Sequence, residues 1–190
     1  MRFLSMPAPI SPPEWSAALS RPCTLIRFDG IPQSGDFDRL LERAEHLVVQ
    51  RTADRRPFRA VIECLQNLER HAKPGTPICF QLEGWMVQGA PRFRIRTLNH
   101  VRDGERQQVS RWLDRHSDWQ QNSASTSSLG LAWRGLHRDA LAEGRRTPRG
   151  GAGLGWLSLA RHAVRPPVIG LRQGDGGERL FFSVEVACAA

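Results

Sequence analysis

The chain has 190 residues, 40% of them hydrophobic, and a formal net charge of +8. This length suits one domain with a sizeable core, and no apolar run reaches the roughly 18 residues that a membrane span needs, so we expect no membrane protein. Lys73 is the only lysine among 27 basic residues. The positive charge could indicate a nucleic-acid or acidic partner. The absence of a basic run interleaved with aromatic residues disfavours nucleic acid and favours an arginine-rich composition as the origin of the charge.

Residues 1–20 are rich in proline and too interrupted to form a signal peptide. We expect a poorly ordered arm with a short helix at 14–19, followed by a single domain over 21–190. The four cysteines form no C-x-x-C pair and lie among apolar residues, which predicts buried free thiols and a cytoplasmic protein in a reducing compartment. They are Cys23, Cys64, Cys79 and Cys188.

The first half of the chain predicts a strand, two helices and a hairpin. Residues 23–30 are an apolar run that stops at Asp-Gly, which is typical of a strand. Apolar residues then recur at helical spacing from Phe37 to Val48, with Asp36 as N-cap, and again from Pro57 to Ala72. The segments 77–87 and 92–101 read as two antiparallel strands joined by the turn QGAP.

The second half predicts helices near 105–121 and 130–143, a glycine-rich loop, a helix over 155–163, and two closing strands at 166–172 and 179–188. Because the predicted strands come mostly in adjacent pairs, we expect an α+β fold. Its two layers are a mixed, mostly antiparallel sheet and a layer of helices on one face.

Two places could carry chemistry. Glu63 and Asn67 lie four residues apart on the second helix, so their side chains share one face. An amide oxygen can ligate Mg²⁺ and a carboxylate can accept a proton from a hydroxyl. By itself, however, an E-x-x-x-N pair is more typical of a solvated helix face with an i,i+4 hydrogen bond.

The second place is the sequence GGAGLG at 150–155, which opens a helix. Backbone N–H groups that converge at a helix N-terminus bind phosphate, and glycine lets the backbone approach the anion. No G-K-[ST] follows, so the loop is not a P-loop. A hinge between two helices is an equally good interpretation of the glycines alone.

Taken together, the two motifs resemble those of the GHKL ATPase superfamily. The sequence ECLQNLERH at 63–71 resembles the N box, and RGGAGLGW at 149–156 resembles the second glycine box at the hinge of the ATP lid. With the ending RLFFSVEVA, the chain is similar to the SiaB-like protein kinases over about 21–188. That resemblance implies a Bergerat-type ATPase fold.

The resemblance also implies a protein serine/threonine kinase that uses ATP and Mg²⁺ to phosphorylate a small regulatory partner in a bacterial partner-switching circuit. Glu63 would be the general base and Asn67 the Mg²⁺ ligand, with phosphoryl transfer achieved mainly by positioning and charge neutralisation. The implied nucleotide contacts are Asn67, Arg70, His71, Asn99, Arg149, Gly150, Gly151, Gly153, Leu154 and Gly155. A homodimer is compatible with this expectation.

One feature of the superfamily is missing, since no D-x-G-x-G adenine box occurs between 77 and 146. Asn99 stands where a polar contact to adenine or phosphate would be. The alternative hypothesis is therefore a catalytically weak or inactive module on the same fold, which sequesters a regulatory partner. The cationic stretch before the glycine loop could neutralise a triphosphate or could be a solvated helix end.

Overall fold

The structure is a computed structural model. It describes residues 21–52, 54–102, 104, 106–107, 110, 159, 163–164, 167–174 and 177–188. The predicted arm at 1–20, the helix at 130–143 and the glycine loop at 149–155 lie outside these residues. Of the predicted helix at 105–121, the described residues Arg106, Gln107 and Ser110 have helical backbone.

The described strands form one five-stranded sheet in the order β1-β2-β3-β5-β4. They are β1 (Cys23–Gly30), β2 (Ile78–Val87), β3 (Ala90–His100), β4 (Val168–Gly174) and β5 (Gly177–Ala187). All four strand pairs are antiparallel. The α+β class is therefore confirmed, whereas the expected mixture of parallel and antiparallel pairing is wrong for these strands. The predicted strand boundaries are correct to within about two residues.

The β2–β3 hairpin turns more tightly than QGAP predicted. Gln88 and Gly89 have φ angles of 50° and 80°. Two successive residues at positive φ match the right-handed twist of the strands and make a two-residue hairpin loop. Ala90 and Pro91 consequently belong to β3 and pair with Val87 and Met86.

Two helices separate β1 from β2: α1 (Asp36–Thr52) and α2 (Arg56–His71). The predicted N-cap Asp36 is itself the first helical residue, and its carboxylate accepts hydrogen bonds from the Gln33 backbone N–H and the Arg39 guanidinium. At the start of α2, the Asp54 carboxylate accepts a bond from the Arg56 backbone N–H at 2.9 Å. Pro57 suits the first helical turn, since its missing N–H has no partner to lose there.

One face of the sheet and both helices share a single hydrophobic core. On β2 the residues Ile78, Phe80 and Leu82 are buried there, alternating with Cys79 and Gln81 on the opposite face. The buried strand residues meet helix residues that include Leu40, Ala44, Val61, Leu65 and Leu68. This arrangement fits the predicted layer of helices on one face.

A bulge in β1 allows two consecutive residues to enter this core. The β1–β2 register shifts between Thr24 and Ile26, and both Leu25 and Ile26 are buried. Leu25 lies over Gly84, where an added Cβ would be 2.8 Å from Leu25 Cδ1. Gly84 is therefore required by close packing.

Candidate functional site

The pair Glu63 and Asn67 lies on the flank of α2. The buried stripe of this helix includes Val61, Cys64, Leu65 and Leu68. Glu63 and Asn67 are both half-buried, as expected for positions at the border between the core and solvent. The predicted common face is therefore present, with its polar atoms placed beside the core and still accessible.

The two ends of α2 lie at opposite ends of β3. Near the helix start, the Cys188 N–H donates to the Pro91 carbonyl at 3.0 Å, and the Asp54 and Arg56 charges act on the Cys188 thiol. After the helix end, the Lys73 N–H donates to the His100 carbonyl at 3.2 Å. The helix thus runs parallel to β3, and its C-terminal half lies towards the His100 end of the sheet.

A second bond holds the same end of the helix in place. The Arg102 guanidinium Nε donates to the Ala72 carbonyl at 2.8 Å. The carbonyls at a helix C-terminus lack partners within the helix and carry a partial negative charge, so a guanidinium there is doubly favourable. The last turn of α2, which contains Arg70 and His71, is consequently fixed to the sheet. Arg70 is exposed, whereas His71 is half-buried.

Asn99 lies at that end of the sheet on the face that the helices cover. Its Cα partners are Ile78 on β2 and Leu180 on β5, both on the same face. The residue is only 5% exposed, and its Nδ2 donates to the His100 carbonyl at 3.2 Å. The structure therefore brings Asn99, on the sheet, and the C-terminal half of α2, in the helix layer, to the same end of the molecule.

The glycine loop itself lies outside the described residues, but the segment after it is anchored. Leu159, four residues after Gly155, has helical backbone and is buried in the core at 1% exposure. Ala163 forms a bridge with Val186, and the Val164 N–H donates to the Glu185 carbonyl at 2.8 Å. Leu159 is thus part of the core, whereas Trp156 and Leu157 lie outside the described residues.

His100 was not predicted as a site residue. It is 5% exposed, and its Nε2 accepts a hydrogen bond from Arg179 Nε at 3.1 Å. Burial, reinforced by the Arg179 and Lys73 charges, lowers the pKa of His100 from its ordinary 6.5. The neutral imidazole is the form that accepts the Arg179 bond, so geometry and pKa agree.

The sequence interpretation also missed an ion-pair network on the second face of the sheet, which neither of the two described helices covers and which is called the uncovered face below. Glu83 and Glu185, 8% and 7% exposed, are shared by arginines of β3. Arg94 lies between them, 3.5 Å from Glu83 and 3.3 Å from Glu185. The alternation R-F-R-I-R along β3, opposite Glu83 on β2 and Glu185 on β5, is a signal that could have predicted it.

The cysteines are free thiols, as predicted; Cys64 and Cys188 are buried, whereas Cys23 and Cys79 are half-buried, against expectation. Burial is the main cause that raises the pKa of all four, most strongly at Cys64. They are therefore protonated near neutral pH. Within the described residues no group of three His, Cys, Asp or Glu side chains could hold a metal ion.

Asn67 fits the proposed Mg²⁺ in its donor chemistry, since its amide oxygen is a hard ligand on a half-buried, accessible side chain. Mg²⁺ at phosphate sites keeps several waters and takes few protein ligands beside the phosphates, so a small protein contribution is compatible with this chemistry.

Among the described helices, none is both long and apolar enough to cross a bilayer. Comparison of the chain with known protein families, with curated proteins and with solved structures gives no match.

Proposed function

We propose that the chain is an ATP- and Mg²⁺-dependent protein serine/threonine kinase with a Bergerat-type fold, which phosphorylates a small regulatory partner in a bacterial partner-switching circuit. The observation that carries the proposal is the position of α2. Its polar flank, with Glu63 and Asn67, borders the core, and its C-terminal half lies at the end of the sheet where Asn99 is buried.

The burial of Leu159 supports the same proposal from the other motif. It ties the sequence that follows the glycine loop to the layer that contains α2. Leu159 follows Gly155 by four positions. The proposal requires that the glycine N–H groups face the C-terminal half of α2, so that Asn67, Arg70 and His71 contribute to the same phosphate site.

In the proposed reaction, the Glu63 carboxylate accepts the proton of a serine or threonine hydroxyl on the partner. The hydroxyl oxygen forms a bond to the γ-phosphorus, the bond from that phosphorus to the β–γ bridging oxygen breaks, and ADP leaves with the electron pair. Asn67 would hold the Mg²⁺, which would supply charge neutralisation at the phosphates. Positioning and charge neutralisation account for most of such a reaction.

The proposal is tested first by calorimetric titration of ATP with and without Mg²⁺. Wild-type protein should bind ATP in the presence of Mg²⁺, and Asn67→Ala should lose this binding. Gln66→Ala is the matched control, since Gln66 is the neighbouring half-buried amide on α2. Equal affinities of the Asn67 and Gln66 variants would contradict the assignment of Asn67.

Transfer is tested separately with a Glu63→Ala variant. It should bind Mg-ATP like the wild type and transfer phosphate to the partner at least about 100-fold more slowly, because general-base catalysis contributes factors of this order. The acceptor to use is a small regulatory protein encoded beside the chain. Transfer by Glu63→Ala at the wild-type rate would show that the base is another group.

A second candidate is a module of the same fold that sequesters the partner without phosphorylating it. The missing D-x-G-x-G box favours it, because no aspartate is then available for adenine at the usual position. Thermal unfolding with Mg-ATP separates the two candidates. A ligand at 100 times its Kd stabilises the native state by about 2.7 kcal/mol, so an unchanged Tm at millimolar Mg-ATP would favour the sequestering module.

A further inference from the structure

The uncovered face of the sheet contains a groove beside the edge strand β4. The groove is about 480 Å³ in volume, within the range of small-molecule sites. Its side chains come from three strands of the sheet. They include Arg94, Arg96, Val168, Arg172, Phe181 and Ser183.

The strand register explains why the groove has room. Arg96 on β3 pairs with Ser183 on β5, which pairs with Val168 on β4. Two residues further along β4, Gly170 pairs with Phe181 of β5. A Cβ added at Gly170 would meet no atom within 4 Å. Small side chains at Ser183 and Gly170 therefore leave a depression between β3 and the edge of the sheet.

The groove is cationic after its carboxylates are counted. Glu185 also lines it, but its two oxygens already lie 3.3 Å from Arg92 and 3.3 Å from Arg94. Arg96 shares Glu83 at 3.3 Å, through one nitrogen of a guanidinium that has five N–H donors. The N–H groups on the other two guanidinium nitrogens of Arg96 therefore remain for a ligand.

Arg172 supplies the cation on the opposite side. Its guanidinium lies over the Phe181 ring, 4.4 Å from the centroid, and the side chain is exposed. Within the part of the chain that the structure describes, Arg172 has no carboxylate partner. Stacking on the ring holds the guanidinium plane at the groove and leaves its N–H edge free for an anion.

We infer that this groove binds a small molecule through an oxyanion group, phosphate or carboxylate, held between Arg96 and Arg172. The Ser183 hydroxyl offers a further donor, and Val168 and Phe181 offer an apolar surface to the rest of the ligand. The face is opposite to the one that α2 covers. The inference is consequently independent of the proposed kinase activity.

The test is calorimetric titration of the full chain at about 0.15 M ionic strength, where the Debye length is about 8 Å, with two probes, inorganic phosphate and citrate. At least one should bind, and the comparison shows whether phosphate or carboxylate is preferred. Arg96→Gln and Arg172→Gln should each weaken that binding about tenfold, as expected for loss of a charge-assisted hydrogen bond. Gly170→Leu should abolish it, because the added Cβ meets no atom within 4 Å and the larger side chain would occupy space beside Phe181, which lines the groove.

Arg27→Gln is the matched control. Arg27 lies on the same face of the sheet as the groove but on β1, at the opposite edge. It pairs with Gln81 on β2, which in turn pairs with Arg96 on β3. The Arg27→Gln variant should bind the probe within about twofold of wild type, since the exposed charge of Arg27 lies outside the groove and is screened. Absence of binding of both probes, equal losses in Arg27→Gln and Arg172→Gln, or full binding by Gly170→Leu would each overturn the inference.

Discussion

The two faces of the sheet differ in chemistry, because alternate residues of the same strands are apolar on one face and polar or charged on the other. Along β2, Phe80 and Leu82 enter the core under the helices, whereas Gln81 and Glu83 lie on the uncovered face. Along β3, Ile95 is buried in the core between Arg94 and Arg96. The covered face is stabilised by burial of apolar area, and the uncovered face is held by charges that are shared between neighbouring strands.

This difference indicates how each face can change. The core is close-packed, so even small changes of volume alter the free energy of unfolding. The uncovered face has partly exposed guanidinium groups, which can exchange one partner for another at little cost. The variants below test that contrast, beginning with the largest expected effect.

Phe80→Ala should cost about 3–5 kcal/mol in the free energy of unfolding, because it removes a fully buried ring and leaves a cavity. Gln81→Ala, one residue away on the uncovered face, should change it by less than about 1 kcal/mol. Urea unfolding of both variants is the measurement. Similar losses in the two would contradict the division between the faces.

Glu185→Gln should destabilise the protein by about 1–3 kcal/mol, since Arg92 and Arg94 lose a carboxylate that is 8% exposed in its side chain. The control is Asp29→Asn, which removes the exposed pair with Arg27 and should cost less than about 0.5 kcal/mol. Denaturant midpoints at low and high salt measure both. If Asp29→Asn costs as much as Glu185→Gln, burial does not distinguish the pairs.

Gly84→Ala should cost about 1–2 kcal/mol, because the new methyl group would contact Leu25 Cδ1 at 2.8 Å and the side chain would have to move. Gly170→Ala is the control on the uncovered face, with nothing within 4 Å of the added carbon. In a double variant with Leu25→Ala, the cost of Gly84→Ala should largely disappear. If the free-energy costs of Gly84→Ala and Leu25→Ala simply add in the double variant, the cost of Gly84→Ala does not arise from contact with Leu25.

His100 should titrate below 6.5, and Arg179→Gln should raise its pKa towards that value by removing a nearby cation. The unfolded chain binds a proton at His100 more readily than the folded chain does. The contribution of neutral His100 to stability is therefore complete above pH 6.5 and is lost as the pH falls towards the lower folded pKa. NMR titration of the His100 ring is the measurement. A folded pKa above 6.5 would contradict the described environment.

Local patterns predicted most of the fold. The alternation in β2, β3 and β5 and the helical spacing around Leu40 and Leu65 were sufficient, because each element buries one face. Strand order could not be predicted, since β5 lies between β3 and β4 only through contacts that are distant in sequence. The pairing of Glu185 with β3 depends on that order, whereas the pairing of Glu83 with the β3 arginines follows from the predicted hairpin and could have been predicted.

The candidate site was predicted as separate motifs. Spacing alone placed Glu63 and Asn67 on one helix face, because helical geometry is local. The meeting of the α2 C-terminus with Asn99 and His100 required the tertiary contacts of Lys73 and Arg102. The Arg149–Gly155 part of the site lies outside the described residues, and its role stays a prediction.

The central claim is that the covered face, at the His100 end of α2, binds nucleotide together with Mg²⁺. Chemical-shift mapping of the isotope-labelled chain during titration with ATP, with and without Mg²⁺, tests it most directly. We predict backbone amide shifts at residues 63–71 and at Asn99 that require Mg²⁺. Absence of Mg²⁺-dependent shifts at these residues at millimolar ATP would contradict the claim.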